Sequence, residues 1–135
     1  MNTVVLDTNI VLDAFVFGDP AAAPLKQALA SSQFQWVATK AMRDELERVL
    51  AYPKIVLRMT FYKVSAEHVL AQFDGQSTQV DTAAKACVTC KDPDDQKFID
   101  LAVAHKALLL SKDNAVLCMK KRLLALDVKA QVAIN

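Results

Sequence analysis

Six acids carry the chemistry this sequence offers: Asp7, Glu45, Asp92, Asp94, Asp95 and Asp113. Asp92-Pro93-Asp94-Asp95 stands where a helix begins, and the free N–H groups and dipole of a helix start favour carboxylates there. Asp7 and Asp113 each lie just past a short apolar run, Thr3–Leu6 and Leu108–Leu110. Taken singly, each acid has an ordinary explanation: Asp7 and Asp113 as helix caps, Glu45 as a boundary glutamate, Asp95 as a helix N-terminal acid. Convergence changes the argument. Two like charges about 5 Å apart cost about 3 kcal/mol at an effective dielectric near 20, a large share of an ordinary domain's stability. Carboxylates that meet in one crevice persist only when protonated, paired with cations or occupied by metal. Oxygen ligands without His or Cys suit a hard cation, Mg2+ or Mn2+. Such an ion would orient a phosphodiester and lower the pKa of an attacking water.

The elements needed to position these acids alternate along the chain. Thr3–Leu6 is β-branched and apolar, too short for a helix and suited to a buried central strand. Asp7-Thr8-Asn9 then caps a helix through Ile10, Val11 and Ala14. Gly18-Asp19-Pro20 breaks it, and Ala21 to Ala30 is helix-forming. Phe34 to Ala38 reads as a second strand. Thr39 caps a helix over 40–51, with Met42, Leu46, Val49 and Leu50 on one face. At about 100° per residue, Glu45 lies about 85° from the centre of that face, whereas Glu47 and Asp44 point further away. Residues 54–62 form a short helical piece, and Ser65 opens another helix through Phe73. Thr78 to Val80 is a short strand, and residues 81–93 carry little pattern. The spacing predicts one helix over Asn114–Leu126 and an alternating edge strand over Val128–Ile134. The sum is a single α/β domain over residues 1–135, with a mainly parallel sheet of about five strands and helices on both faces. In such a sheet, ligands bind at the C-terminal strand ends. Asp95 and Asp113 share that edge only if the segment 88–95 crosses the top of the sheet.

Bulk properties narrow the function classes. The chain has 135 residues, of which 53% are hydrophobic, enough to bury a core and too apolar for disorder. No apolar run approaches the roughly 20 residues of a membrane span. The absence of a signal-type opening segment makes the cytoplasm the expected location. The net charge of +1 gives no global basic field, so a polyanion must be held by a local patch or by bound cations. Three cysteines, an odd number, fit a reducing compartment better than a disulfide framework.

Val4-Val5-Leu6-Asp7-Thr8-Asn9, Glu45-Leu46, Asp95 with Phe98-Ile99 and Ala102, and Leu109-Leu110-Ser111-Lys112-Asp113 together resemble a PIN domain. Tyr52-Pro53-Lys54 and the stretch Lys91 to Phe98 bring the chain nearest to the PIN-type toxin components of bacterial toxin–antitoxin systems. The resemblance spans nearly the whole chain. It implies a three-layer α/β/α fold and a ribonuclease requiring Mg2+ or Mn2+. Asp7, Glu45, Asp95 and Asp113 would be its acidic quartet. Thr8 and Asn9 would shape the strand end, Ser111 would match the small hydroxyl residue before the last acid, and Lys112 could reach the scissile region. Asp92 and Asp94 are extra acids available to the metal or to the loop. Asp95 is favoured over Asp94 because it shares a helix face with Ile99 and Ala102. The expected partners are an RNA substrate, an antitoxin protein and a second copy of the chain. One departure stands out: many relatives carry an acid two residues beyond the last one, where this chain has Ala115.

Other readings carry less weight. Cys87-Val88-Thr89-Cys90 lacks the two nearby partners a zinc site needs. His68 and His105 read as structural helix residues. The apolar segment Ile55 to Phe61 exceeds what one helix face needs, so it either binds a partner or lies under the domain's own loops. A haloacid-type hydrolase would need a second acid where Asn9 stands. A phospho-receiver module would need an acid pair after the first strand. A PIN scaffold without catalysis, binding protein or RNA, is the main alternative, and Ala115 is its argument.

Overall fold

The computed structural model describes residues 2–134. Strands β1 (Asn2–Leu6), β2 (Phe34–Ala38), β3 (Ser77–Gln79), β4 (Leu108–Leu110) and β5 (Ala130–Gln131) form one sheet in the order β3-β2-β1-β4-β5. All neighbours are parallel. Val4, Val5, Leu109 and Leu110 have no solvent exposure, as parallel strands covered on both faces require. The crossovers are helical: α1 (Thr8–Phe15), α2 (Ala23–Ala30), α3 (Lys40–Leu50), α4 (Pro53–Tyr62) and α5 (Ala66–Gln76) precede β3, and α6 (Gln96–His105), α7 (Asn114–Leu117) and α8 (Lys120–Leu124) follow it.

The chain steps from β1 to β2 to β3 in one direction, then returns past β1 to β4 and β5. Right-handed crossovers put α1 to α5 on one face and α6 to α8 on the other. This is the three-layer α/β/α arrangement. Trp36 of β2 illustrates the first face: it stacks on Phe15 of α1 at 5.9 Å and meets Phe73 of α5 edge-on at 5.0 Å. Truncating such a buried aromatic costs about 3–5 kcal/mol. The strand order reverses between β1 and β4, which opens a crevice at their C-terminal ends.

The second half departs from expectation in two places. The helix foreseen over Asn114–Leu126 is broken into α7 and α8. In a straight helix the Ala115 carbonyl would accept the Met119 N–H. It accepts the thiols of Cys90 and Cys118 instead, and Met119 N–H turns to Val116 O. The strand foreseen over Val128–Ile134 pairs only at Ala130–Gln131, because β4 offers a ladder just three residues long. Among the described residues, no helix is long and apolar enough to cross a membrane.

Candidate active site

Asp7 leaves β1 at the reversal point, where its N–H donates to Leu110 O of β4 at 3.1 Å. One carboxylate oxygen accepts the Asn9 N–H at 2.7 Å, which caps α1. The other accepts the Ser111 hydroxyl at 2.7 Å. Ser111 Oγ also accepts the Asp113 N–H at 3.0 Å, and Asp113 Oδ1 caps α7 through the Ala115 N–H at 2.9 Å. One buried hydroxyl thus fixes the distance between two acids from different strands.

The segment 81–95 crosses the top of the sheet and delivers Asp92 and Asp95 to the same place. Asp92 caps the 3-10 turn Pro93–Asp95 by accepting the Asp94 N–H at 3.0 Å. One carboxylate oxygen each from Asp92, Asp95 and Asp113 lie within 4.8 Å of one another. Asp94, offered by the sequence as a further metal ligand, is exposed and its side chain lies outside this group. It occupies the outer side of the turn that Asp92 caps.

Electrostatics are unfavourable for three or four bare carboxylates here. Burial and the facing Asp113 carboxylate push Asp95 up to about 7, with Asp7 and Asp92 adding to the rise. Asp7, 3% exposed, is raised chiefly by burial. The Ser111 and Asn9 hydrogen bonds pull it down, and the charges of Asp113 and Glu45 push it up. Among the described residues the buried Asp95 Oδ2 accepts no hydrogen bond, a costly condition for a carboxylate oxygen. A ligand set of clustered carboxylate oxygens with one orphaned buried atom fits a hard divalent cation.

Glu45 stands at the rim on α3. The Thr8 hydroxyl donates to its Oε2, and Lys97 Nζ pairs with its Oε1 at 2.7 Å. It lies near enough to Asp7 to raise that carboxyl, yet outside the Asp92–Asp95–Asp113 group. Lys112 does not turn toward Asp113. Its Nζ meets Asp13 Oδ2 at 2.6 Å. Asp13 went unrecognised in the sequence, although an acid inside the apolar stripe Ile10 to Ala14 was the available signal. The cysteines are all free, and among the described residues no group of potential ligands includes one.

An α/β/α fold with carboxylates gathered at the reversal point of a parallel sheet defines a class of acidic-site proteins. A family model described as the PIN domain matches residues 3–115, and the chain belongs to the PIN domain family. The fold is similar to that of a chain in the crystal structure of VapBC2 from Rickettsia felis bound to a DNA fragment from their promoter. That likeness has a TM-score of 0.62 and 16% identity, covering 95% of this chain and 98% of that one. No curated protein matches the chain.

Proposed function

We propose that residues 1–135 act as one PIN unit, a Mg2+- or Mn2+-dependent endoribonuclease and the toxin half of a toxin–antitoxin pair acting in the cytoplasm. The observation that carries this reading is the acid cluster, with the Asp95 oxygen left buried and unpartnered. Asp92, Asp95 and Asp113 would hold the cation, and Asp7, fixed by Ser111 and Asn9, would complete its surroundings. When bound, the ion supplies Lewis-acid stabilisation of the phosphoryl group and acidifies the attacking water. The chain's own residues do the rest. Glu45, oriented by Thr8 and Lys97, sets the water for in-line attack on phosphorus. As the water oxygen bonds to phosphorus, Glu45 takes its proton and the P–O bond to the ribose oxygen breaks with its electron pair left on that oxygen. A solvent proton caps it, and no covalent enzyme intermediate forms. Asp92 supplies the carboxylate that Ala115 lacks.

The toxin assignment is supported by family membership, by the resemblance to toxin-type PIN chains and by the likeness in fold to a chain of VapBC2. The test is cleavage of mixed structured and single-stranded RNAs in Mn2+ by wild type, Asp7→Asn and Asp95→Asn, with chelator as control. Activity lost in both variants and in chelator is expected. Equal cleavage by all three proteins would mean a contaminant or another site. No cleavage, with no Mn2+-induced rise in Tm, would overturn the enzymatic reading in favour of a partner-binding scaffold.

A further inference from the structure

The acid cluster needs cations nearby if it is to accept a polyanion, and two lysines at its edge are already neutralised. Lys97 is paired with Glu45 and Lys112 with Asp13. A groove of about 590 Å³ begins at Asn9 and Lys112, beside the acids, and runs between α1 and α4. Its far wall holds Arg58 and Tyr62 of α4, with Phe17 just after α1. The Arg58 guanidinium sits 3.6 Å from the Phe17 ring centroid. Among the described residues it makes no ion pair and no hydrogen bond, so its donors are free. Tyr62 is 41% exposed and packs 6.3 Å from Phe17, tilted by 50°.

We propose that this groove binds an unpaired nucleotide of the RNA flanking the cleavage position, its phosphate on Arg58 and its base against Tyr62. The inference rests on the nuclease reading for the RNA as ligand, and on the groove for the place. Three features of the groove fit that ligand. It opens next to the site, since Asn9, whose N–H is held by the Asp7 carboxylate at 2.7 Å, lines its near end. At 1.5 Å per residue the eight residues of α1 span about 12 Å, so Phe17, beyond the helix end, meets a nucleotide further along the RNA rather than the reacting one. An arginine held flat on an aromatic ring presents its fork of donors in a fixed direction, which suits phosphate. Exposed aromatic faces beside cations are the means by which proteins hold single strands without reading sequence. The lining also holds Asp13, paired with Lys112, and Asp19, so Arg58 is the cation the groove leaves for a phosphate.

The test uses Arg58→Ala, Tyr62→Ser and, to keep charge without the planar fork, Arg58→Lys. Both residues are exposed, and an unchanged Tm certifies folding. With wild type active, Arg58→Ala and Tyr62→Ser are each expected to raise KM about 10-fold on a single-stranded oligonucleotide, the order of one stacking or phosphate contact. On a dinucleotide too short to reach the groove they should match wild type, with kcat unchanged on both substrates, and Arg58→Lys should fall between. KM values within twofold of wild type on the long substrate would overturn the subsite while leaving the nuclease intact. Should wild type cleave nothing, anisotropy with labelled single-stranded RNA decides separately. Binding that weakens in both variants supports the groove, and binding that is absent or unchanged overturns it. Unchanged RNA affinity alongside loss of a protein partner in the variants would assign the groove to protein and also overturn it.

Discussion

Ser111 Oγ donates to Asp7 Oδ2 at 2.7 Å across 104 positions of sequence, and the serine has no solvent exposure. The bond spans the point where the strand order reverses, so it joins the ends of the two strands that carry the acids. Ser111→Ala leaves a buried Asp7 oxygen and the Asp113 N–H without a partner. The expected cost is about 1–3 kcal/mol of unfolding free energy, read by urea denaturation. The hydrogen bond now lowers the Asp7 pKa, so its loss should move the acidic limb of the activity profile upward. A variant as stable as wild type with an unmoved profile would contradict the role given to Ser111.

Asp95 is a main source of the pH response of the metal-free protein, with the raised Asp7 adding in the same direction. Its carboxyl stands at about 7 when folded and near 3.9 when unfolded. Between those values the folded state binds more protons, so stability falls as pH rises and the loss is complete above about 7. Asp95→Asn removes that penalty. In chelator the variant should be more stable than wild type at pH 8, by an amount on the order of 2 kcal/mol, and nearly equal to it at pH 4. Mn2+ should restore wild type at pH 8 and leave the variant unmoved. Parallel denaturation curves at the two pH values give the comparison. A variant less stable than wild type in chelator at pH 8 would reverse the sign argued here.

Much of this architecture could be read from residue types alone. The apolar runs at Thr3–Leu6 and Leu108–Leu110 and the capping side chains of Asp7, Thr39 and Ser65 are local signals, and the structure uses them locally. The two failures came from non-local competitors. The break after α7 depends on a carbonyl claimed by Cys90 from another segment, and the short β5 depends on the length of its partner strand. Within the site, the acids were legible as residues, while their division into Asp92–Asp95–Asp113 and a separate Glu45 was not. That division follows from the crossing of 81–95, a stretch with no periodicity to read. The Lys112–Asp13 pair was hidden because a lysine beside an acid in sequence need not face it in space.

Asp92 and Asp94 should part company on substitution. Asp92 contributes to the acid group, whereas Asp94 is exposed on the outer side of the turn. Asparagine caps about as well as aspartate, so Asp92→Asn should keep the turn and lose a ligand charge. It is expected to weaken Mn2+ binding at least 10-fold by calorimetry, with Asp94→Asn within twofold of wild type. The opposite ranking would move the ligand from Asp92 to Asp94.

Glu45 offers the sharpest separation between holding a cation and using it. Thr8 and Lys97 each hold one of its oxygens, which leaves a second acceptor site on each for a water, and it stands outside the trio of converging acids. Glu45→Gln should therefore retain the Mn2+-induced rise in Tm that Asp113→Asn loses. Cleavage should still drop, by about 10²-fold or more, the order of a positioned proton acceptor. Lys97→Met removes the cation that holds Glu45, and its loss of kcat should be smaller than that of Glu45→Gln, because Thr8 still orients the carboxylate. If Glu45→Gln abolishes the Mn2+ response, Glu45 is a ligand, and the water-orienting role falls to another residue. If it lowers neither the Mn2+ response nor cleavage, Glu45 is a structural partner of Lys97 alone.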